Sequence, residues 1–380
     1  MGKFRDFFSH IGNGISFGQL KPQDRALTFY SEGRNYWSYL GGLLQETLES
    51  TDQTVCYVSS SKDDPGLQVE HPRLKKFLIG EGFVRDWFFA NMDTKVVVMT
   101  MPDLHQYQVK KSKHSVHYIY VQHSLVSFQM VYRPGAFDHY DTIFCAGPHH
   151  LKEMRAIEAC YGLKEKALFE HGYARLDSIY KEANLKKSSP RPSAQPTHYL
   201  LAPSWGEGGT IETGVGEKIV EALIAKGAKV TLRPHPQTIK FFEAKVNAIV
   251  DKHKAHPNFD YENNVQGQES LHASDVMICD WSGAALDYAF GLNKPVIFVD
   301  VERKVNNPNY TDIKIEPFEV TIRDSIGTII QPNDLKAIQS ISIPEIPDGL
   351  AEKYVFNVGH SDQVGAKEII RILASLQNKA

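Results

Sequence analysis

Two short strands and the polar turns that follow them, Ala228–Pro236 (AKVTLRPHP) and Asp275–Gly283 (DVMICDWSG), decide the fold predicted for this chain. A helix-like segment, Ala284–Leu292, and a third apolar run, Pro295–Val299, follow the second turn. This order repeats strand, loop and helix, which is typical of a parallel sheet. In open parallel sheets, ligands bind where the strands end. The polar residues of the two turns are therefore the first candidates for a binding site.

These two turns predict a site for a diphosphate. Prolines flank His235 on both sides and restrict the backbone around it, which keeps its imidazole out of a helix. Ser282 and Gly283 stand where a helix begins, and the unpaired backbone N–H groups of a helix start favour phosphate. We expect Arg233 and His235 to neutralise the diphosphate, while Ser282 and Gly283 supply a hydroxyl and backbone donors.

Two acidic residues and a glycine-rich loop lie beside these turns. Asp280 and Asp287 could each hold a ribose hydroxyl or simply cap and orient the helix, and the sequence leaves both alternatives open. The loop after the predicted strand His198–Ala202 carries Ser204 and Gly206, small residues that let a backbone approach a phosphate closely. This loop does not have the spacing G-x-G-x-x-G, so alone it is a weak signal.

Length, composition and charge define the class of protein. At 380 residues the chain is long enough for two domains, and 42% apolar with 23% charged residues is typical of a globular protein. The net charge of −3 argues against nucleic-acid binding. The four cysteines have no C-x-x-C spacing, and no apolar run reaches membrane-spanning length, so a reducing, cytoplasmic location is expected. The histidines have no metal-site spacing, and neither a metal nor a cofactor is expected.

Strands and helices alternate on both sides of a linker rich in proline and serine, residues 186–196. The pattern predicts a Rossmann-like domain over residues 1–185 and a second one over 197–360. An amphipathic helix over 361–380 closes the chain. Two such domains place their strand-end edges face to face across a cleft, where ligands usually bind. We expect a donor on the second domain and an acceptor on the first.

Candidates on the acceptor side follow strands of the first domain. His123 and Ser124 come after the predicted strand Tyr118–Val121, and Glu32 and Arg34 come after a strand that ends near residue 31. An imidazole at a strand end can serve as a general base because its pKa lies near neutral pH. It can equally well hydrogen-bond a neighbouring loop, and the spacing does not separate these alternatives.

The N-terminal segment, Met1–Phe17, combines phenylalanines with lysine and arginine before a glycine-rich piece. Such a segment can lie in a membrane interface. Alternatively, it packs as an aromatic arm on its own domain.

Five segments together resemble one protein family, the CDP-glycerol glycerophosphotransferases, which prime and extend teichoic-acid and related capsule polymers. The resemblance covers about residues 121–299, and the blocks Arg-Pro-His-Pro and Ser-Asp-x-x-Ile-x-Asp are its most specific parts. The segments are His123–Leu125, Glu170–Asp177, Leu200–Trp205, Arg233–Pro236 and Ser274–Gly283.

This resemblance implies a GT-B fold, in which two Rossmann-like domains face each other and the second binds a CDP-activated donor. It also implies a base near His123 that deprotonates an acceptor hydroxyl, contacts from His235 to the donor phosphates, and diphosphate binding by Ser282. The acceptor would be a polysaccharide or a lipid-linked molecule at the inner face of the membrane.

The chain departs from the family pattern on the donor and acceptor loops. It has His123-Ser124-Leu125 where His-Gly-Thr is usual, and Asp280-Trp281-Ser282-Gly283 where Asp-Tyr-Ser-Ser is usual. Three hypotheses follow: transfer of glycerol phosphate or a related polyol phosphate, transfer of a nucleotide-activated sugar such as a CMP-linked acid, or a non-catalytic nucleotide-binding scaffold. Competition between donors for binding would separate the first two.

Overall fold

The computed structural model describes residues 2–186, 195–264, 267–335 and 343–378, together with Ile338 and Ile341. Most of the predicted linker lies outside the described residues, because 187–194 are not among them. The described chain forms two parallel β-sheets with helices between the strands, which confirms the predicted α/β class.

The first sheet has seven strands in the order β3-β2-β1-β4-β5-β6-β7, and every neighbouring pair is parallel. Its strands are β1 Leu27–Ser31, β2 Val55–Ser59, β3 Leu74–Leu78, β4 Val96–Met99, β5 His117–Val121, β6 Thr142–Cys145 and β7 Ala167–Glu170. Its central strands are buried along their whole length, as expected for a parallel sheet covered on both faces.

The second sheet has six strands in the order β10-β9-β8-β11-β12-β13, again all parallel. Its strands are β8 His198–Leu201, β9 Lys229–Leu232, β10 Phe259–Tyr261, β11 Val276–Cys279, β12 Val296–Val299 and β13 Gly327–Ile330. The sequence pattern predicted four of these strands and missed the two edge strands, β10 and β13.

Fifteen helices are present in the described residues. They are α1 Gly2–Gly18, α2 Trp37–Ser50, α3 Phe83–Asn91, α4 Phe128–Val131, α5 Pro148–Tyr161, α6 Ala174–Lys186, α7 Val215–Ala225, α8 Pro236–Phe241, α9 Glu243–His253, α10 Glu269–Ala273, α11 Ala284–Leu292, α12 Phe318–Thr321, α13 Arg323–Ile326, α14 Leu350–Tyr354 and α15 Ser361–Gln377.

The C-terminal helix α15 packs on the unit built around the first sheet rather than on the second. Its apolar face, including Ile369 and Leu373, shares a buried cluster with Leu40 and Leu43 of α2. The chain therefore crosses back after the second sheet and ends against the first.

The N-terminal segment forms helix α1. The sequence allows two alternatives for this segment, an aromatic arm packed on its own domain or a segment in the membrane interface. Phe17 packs between Phe77 and Phe88, with ring centroids at 5.5 and 5.0 Å. At the other end of the helix, Phe4 is 76% exposed and Phe8 is 65% exposed. No helix among the described residues is long and apolar enough to cross a membrane.

Candidate active site

The predicted donor residues follow strands that are neighbours in the second sheet. Strands β9, β8, β11 and β12 lie side by side, and all run in the same direction. The loops after them therefore leave the sheet at one edge, the edge where open parallel sheets bind ligands. These loops begin at Arg233, Ala202, Asp280 and Asp300.

His235 is fixed at the start of α8 by its own side chain. Its Nδ1 accepts a hydrogen bond from the backbone N–H of Gln237 at 3.1 Å and so caps the helix. Because Nδ1 is the acceptor, the ring proton of a neutral imidazole resides on Nε2. Burial and the ammonium of Lys304 lower the pKa of His235 to about 4. His235 therefore offers a neutral N–H donor at pH 7, and not the positive charge predicted from the sequence.

Arg233 is engaged within its own unit. Its guanidinium donates to Ser270 Oγ at 3.3 Å and to the carbonyl oxygen of Gly267 at 3.1 Å. The residue is only 6% exposed, and burial lowers the pKa of the guanidinium to about 10. These contacts join the end of β9 to the segment before α10. These two bonds leave other N–H donors of the guanidinium, so the direct phosphate contact of Arg233 stays a prediction.

Asp280 ties two donor-side loops together. One carboxylate oxygen accepts from the backbone N–H of Ser204 at 2.7 Å, and the other accepts from the N–H and hydroxyl of Thr210 at 3.1 and 2.8 Å. These contacts join two loops and do not cap α11, so a ribose contact of Asp280 stays a prediction. Gly206, between these anchor points, has a φ of +138°, and no heavy atom lies within 4 Å of the position a Cβ would take. The loop therefore presents open space there.

The turn before α11 touches the loop that carries His123. A Cβ on Gly283 would lie 2.9 Å from the Ser124 hydroxyl oxygen, so only glycine fits without displacing Ser124. Ser282 Oγ accepts from the backbone N–H of Ala284 at 3.3 Å. The structure thus brings the predicted donor turn and the predicted acceptor loop into direct contact.

Asp287 forms a buried ion pair with Arg175 of α6, with Nε and Oδ2 2.7 Å apart. Burial raises the pKa of the carboxyl group, and the neighbouring Arg175 acts in the opposite direction. This pair joins α11 to α6 of the first unit, so Asp287 orients its helix against a neighbour. This contact agrees with the alternative in which Asp287 orients its helix.

His123 is half-buried in a group of tyrosines. Its Nδ1 lies 2.8 Å from the Tyr120 hydroxyl, and a second hydrogen bond joins the ring to the backbone of Thr100. Burial lowers the pKa of the ring to about 4, while the bond to Thr100 acts in the opposite direction, as donation to a carbonyl does. The ring is therefore neutral at pH 7, and Nδ1 is the nitrogen that can accept a proton. Three further phenol rings have centroids at 5.7 to 6.1 Å: Tyr36, Tyr39 and Tyr132.

Glu32 lies in the same neighbourhood. Burial raises the pKa of its carboxyl group to about 7, partly offset by Arg85 and by a hydrogen bond with Tyr36, whose ring also faces His123. Its Oε2 is buried and has no hydrogen-bond partner among the described residues. Arg34 is exposed two residues further on. The structure thus brings Glu32 close to His123 and leaves Arg34 at the surface.

Two further histidines, which the sequence pattern did not place in the site, hold the His123 loop. His149 Nε2 lies 2.9 Å from the carbonyl oxygen of Leu125, and His150 Nε2 lies 3.0 Å from that of Val126. Both rings sit in the first turn of α5, where the Gly-Pro start of the helix places them. The sequence pattern gave no signal for this role, because it depends on the distance between two loops.

The family departure at Trp281 has a local structural reason. Its indole N–H donates to the carbonyl of Val301 at 3.0 Å, and the Arg323 guanidinium lies 3.5 Å from the ring centroid. The ring is 8% exposed. The larger aromatic residue therefore packs against the loop after β12.

Residues of that loop were missed by the sequence analysis. Lys304 places its ammonium 4.7 Å from the ring centroid of Trp205, and Trp205 stacks near His235 with centroids 6.0 Å apart. No motif in the sequence marks Lys304.

The model of the family described as CDP-glycerol:poly(glycerophosphate) glycerophosphotransferase matches residues 85–325. No curated protein matches the chain significantly.

Solved structures share the fold at low sequence identity. The wall teichoic acid polymerase TagF matches with a TM-score of 0.60 and 14% identity, covering 100% of this chain and 99% of that chain. The UDP-GlcNAc 2-epimerase of Methanocaldococcus jannaschii, in complex with UDP-GlcNAc and UDP, matches with a TM-score of 0.60 and 15% identity, covering 92% and 99%. The UDP complex of MnaA from S. aureus matches with a TM-score of 0.57 and 12% identity, covering 93% and 97%.

These likenesses confirm the predicted GT-B fold of two parallel sheets with helices. The family model spans more than half of the chain, including the His123 loop and both donor turns. The chain therefore belongs to the CDP-glycerol:poly(glycerophosphate) glycerophosphotransferase family.

Proposed function

We propose that this protein transfers glycerol phosphate, or a related polyol phosphate, from a CDP-activated donor to a hydroxyl of a cell-surface polysaccharide or lipid-linked acceptor. The observation that carries the proposal is the contact between Gly283 and Ser124. It sets the helix start suited to phosphate directly beside the residue that follows His123. Family membership supports the glycerophosphotransferase reaction.

In the proposed reaction, His123 Nδ1 accepts the proton of the acceptor hydroxyl. The hydroxyl oxygen attacks the phosphorus that carries the polyol, and the bond between that phosphorus and the bridging diphosphate oxygen breaks. CMP leaves with the bonding electron pair. The acceptor hydroxyl reaches Nδ1 by displacing the hydroxyl of Tyr120, which has a second partner in Tyr132 at 3.4 Å. A general base contributes about 10²- to 10⁴-fold to such a step.

The donor side stabilises the departing CMP in this proposal. His235 directs its Nε2 proton to a phosphate oxygen, since its Nδ1 is held by the backbone of Gln237. Ser282 and the backbone N–H of Gly283, at the start of α11, bind the diphosphate, as helix starts do. Donors aimed at developing charge act in the transition state and so raise turnover more than donor affinity.

A thermal-shift series tests the proposal. CDP-glycerol, CDP and CMP should raise the melting temperature, and UDP and GDP should raise it less, because a ligand bound only to the folded state stabilises it. Radiolabel transfer from CDP-glycerol to a polymer acceptor then tests the reaction. A larger shift with a CMP-linked sugar acid would favour sugar transfer, and nucleotide binding without transfer would favour a scaffold.

The variant Gly283→Asp places a carboxylate where the phosphate is proposed to bind. It should abolish the nucleotide shift, but it also crowds Ser124. Gly283→Ala, which crowds Ser124 without adding charge, is the matched control. An undiminished shift in Gly283→Asp would remove this turn from the site.

We also propose that α1 touches the inner face of the membrane at its exposed end. Three aromatic side chains support this placement, since Phe4, Phe7 and Phe8 are 76%, 39% and 65% exposed. Cosedimentation with vesicles containing anionic lipid should decrease in a Phe4→Ser, Phe8→Ser variant. Equal binding by this variant and the unaltered protein would contradict the proposal. An exposed aromatic elsewhere, Phe241→Ser, serves as the control.

A further inference from the structure

Lys304 is a half-buried cation that makes no contact ion pair with a described residue. Its ammonium lies 4.7 Å from the ring centroid of Trp205, and no described residue forms a salt bridge or hydrogen bond with it. A charge withdrawn from water normally acquires an ion pair or hydrogen bonds. The ammonium is therefore available to bind an anion.

The groups around Lys304 place that anion at the donor edge. The ammonium interacts electrostatically with Asp280 and Glu212, and it lowers the pKa of His235. Asp280 already accepts three hydrogen bonds from the donor loops. Arg233 is engaged with Ser270 and Gly267. Among the described residues, Lys304 is thus a cation that remains available next to the His235 N–H donor.

The loop that carries Lys304 is fixed to both units. It begins after β12 of the second sheet. Asn306 and Asn307, the second and third residues after Lys304, bind the first unit. Their backbone N–H groups lie 3.0 and 3.2 Å from the carbonyl oxygen of Met130, and the Asn307 amide donates to the carbonyl of Gln129 at 2.9 Å. Anchors on both sides restrict the positions open to the lysine, which lowers the entropy lost when an anion binds.

We propose that Lys304 supplies the positive charge that holds the diphosphate of the donor, together with the neutral Nε2–H of His235. The assignment rests on the proposed function for the identity of the donor, but its own content is a phosphate-binding lysine. Trp205 forms one wall for the lysine stem and ammonium. The uncharged nucleoside part of the donor gains nothing from Lys304.

Binding measurements on the full chain test this assignment. For Lys304→Gln we expect CDP and pyrophosphate affinities to fall about ten- to a hundredfold, the range for a charge-assisted hydrogen bond, with cytidine affinity unchanged. Lys304→Arg should restore much of the loss. Lys314→Ala, which removes an exposed lysine of the same unit, should bind CDP normally.

The pH dependence of CDP affinity distinguishes a charged role of Lys304 from a role in packing alone. Burial lowers the pKa of Lys304 to about 8, so its charge is largely present at pH 7 and is lost as the pH rises through 8 to 9. CDP affinity should therefore fall over this interval in the unaltered protein but not in Lys304→Arg. The groups facing Lys304 are the carboxyls Asp280 and Glu212 and the imidazole His235. Burial lowers the pKa of His235 to about 4, so this ring does not change its charge between pH 8 and 9.

The outcomes separate this inference from the proposed function. Pyrophosphate binding that depends on Lys304, without binding of cytidine nucleotides, would retain the inference and overturn the CDP donor. Equal CDP affinity in Lys304→Gln, a parallel loss of cytidine affinity, or no binding of pyrophosphate or CDP by the unaltered protein would overturn the inference.

Discussion

His123 and His235 each follow a parallel strand and are both neutral at pH 7. Their surroundings differ, since one ring lies among phenols and the other near charged groups. Burial lowers the pKa of each to about 4. The first unit surrounds His123 with phenol rings, and the second places His235 near an ammonium and a carboxylate. A lowered pKa by itself therefore does not assign a chemical role.

The two imidazole rings differ in which nitrogen their hydrogen bonds leave available. At His123, Nδ1 faces a hydroxyl, that of Tyr120, and the bond to Thr100 favours a proton on the other nitrogen. At His235, Nδ1 is used by the backbone N–H of Gln237, which leaves Nε2–H as a donor. One ring is thus arranged to accept a proton from a hydroxyl, and the other to donate a hydrogen bond.

The largest effect that separates the two rings is expected for His123→Ala. If His123 is the general base, its loss should cut turnover about 10²- to 10⁴-fold while CDP affinity stays nearly intact. Single-turnover rates and calorimetric CDP titrations on one sample measure both quantities. His114→Ala, at an exposed histidine of the same unit, should leave both unchanged. Parallel losses of rate and affinity would instead make His123 a donor ligand.

The next largest effect is expected at His235, where cap and chemistry can be separated. His235→Asn retains a side-chain acceptor for the helix start, since asparagine is among the best N-cap residues. It should keep its melting temperature and still lose turnover about a hundredfold, the usual cost of removing one donor to a developing anion.

His235→Ala should lose the same turnover and, in addition, about 1 kcal/mol of folding stability with the cap. Melting temperature and single-turnover rate are measured on the same samples. Near-normal turnover in both variants would leave His235 a turn residue only.

The sequence predicts those parts of the fold that depend on local pattern. The continuous apolar runs Lys229–Leu232 and Ala284–Leu292 have the predicted bounds to the residue. The edge strand β3, Leu74–Leu78, was missed because its two lysines interrupt the apolar run, which an edge strand tolerates. Helix α15 was predicted, but its packing on α2 was not, because that contact joins distant parts of the chain.

For the candidate site, the sequence indicates the strand ends at which the residues lie but not what their side chains contact. Strand-end motifs marked His123 and His235, because the ends of parallel strands share an edge. No local pattern could show that Arg233 bonds to Ser270, or that the loop after β12 brings Lys304 to Trp205. Such contacts depend on side-chain direction and loop path, which motif spacing does not specify.

A smaller loss of turnover, less than about tenfold, is expected for Glu32→Gln. The reason is that Glu32 is not the proposed general base, and the loss of a base would cost more. With His123 as the base, turnover at saturating donor should not change between pH 5.5 and 7.5, because a ring whose pKa is about 4 stays unprotonated there. Burial raises the pKa of Glu32 to about 7, so a Glu32 base would make turnover rise with pH through 7. Profiles of turnover against pH, measured for the unaltered protein and for Glu32→Gln, distinguish a His123 base from a Glu32 base. A rise near pH 7 that disappears in Glu32→Gln would move the base to Glu32.

The smallest expected effect tests whether the first unit positions the donor cation. Asn307→Ala removes the hydrogen bond from the side-chain amide to the Gln129 carbonyl, and also the bond that Oδ1 accepts from the backbone N–H of Asn309. The loss should weaken CDP binding about threefold. If Asn307 acts by positioning Lys304, the same change made in Lys304→Gln should have no further effect on CDP affinity, because coupled residues are not additive. A calorimetric double-mutant cycle measures this coupling, with Asn309→Ala, at an exposed position on the same loop, as the control. Equal threefold losses in both backgrounds would show that Asn307 acts on the donor independently of the lysine. The two units would then contribute separately, the tyrosine-lined side to the acceptor and the charged side to the donor.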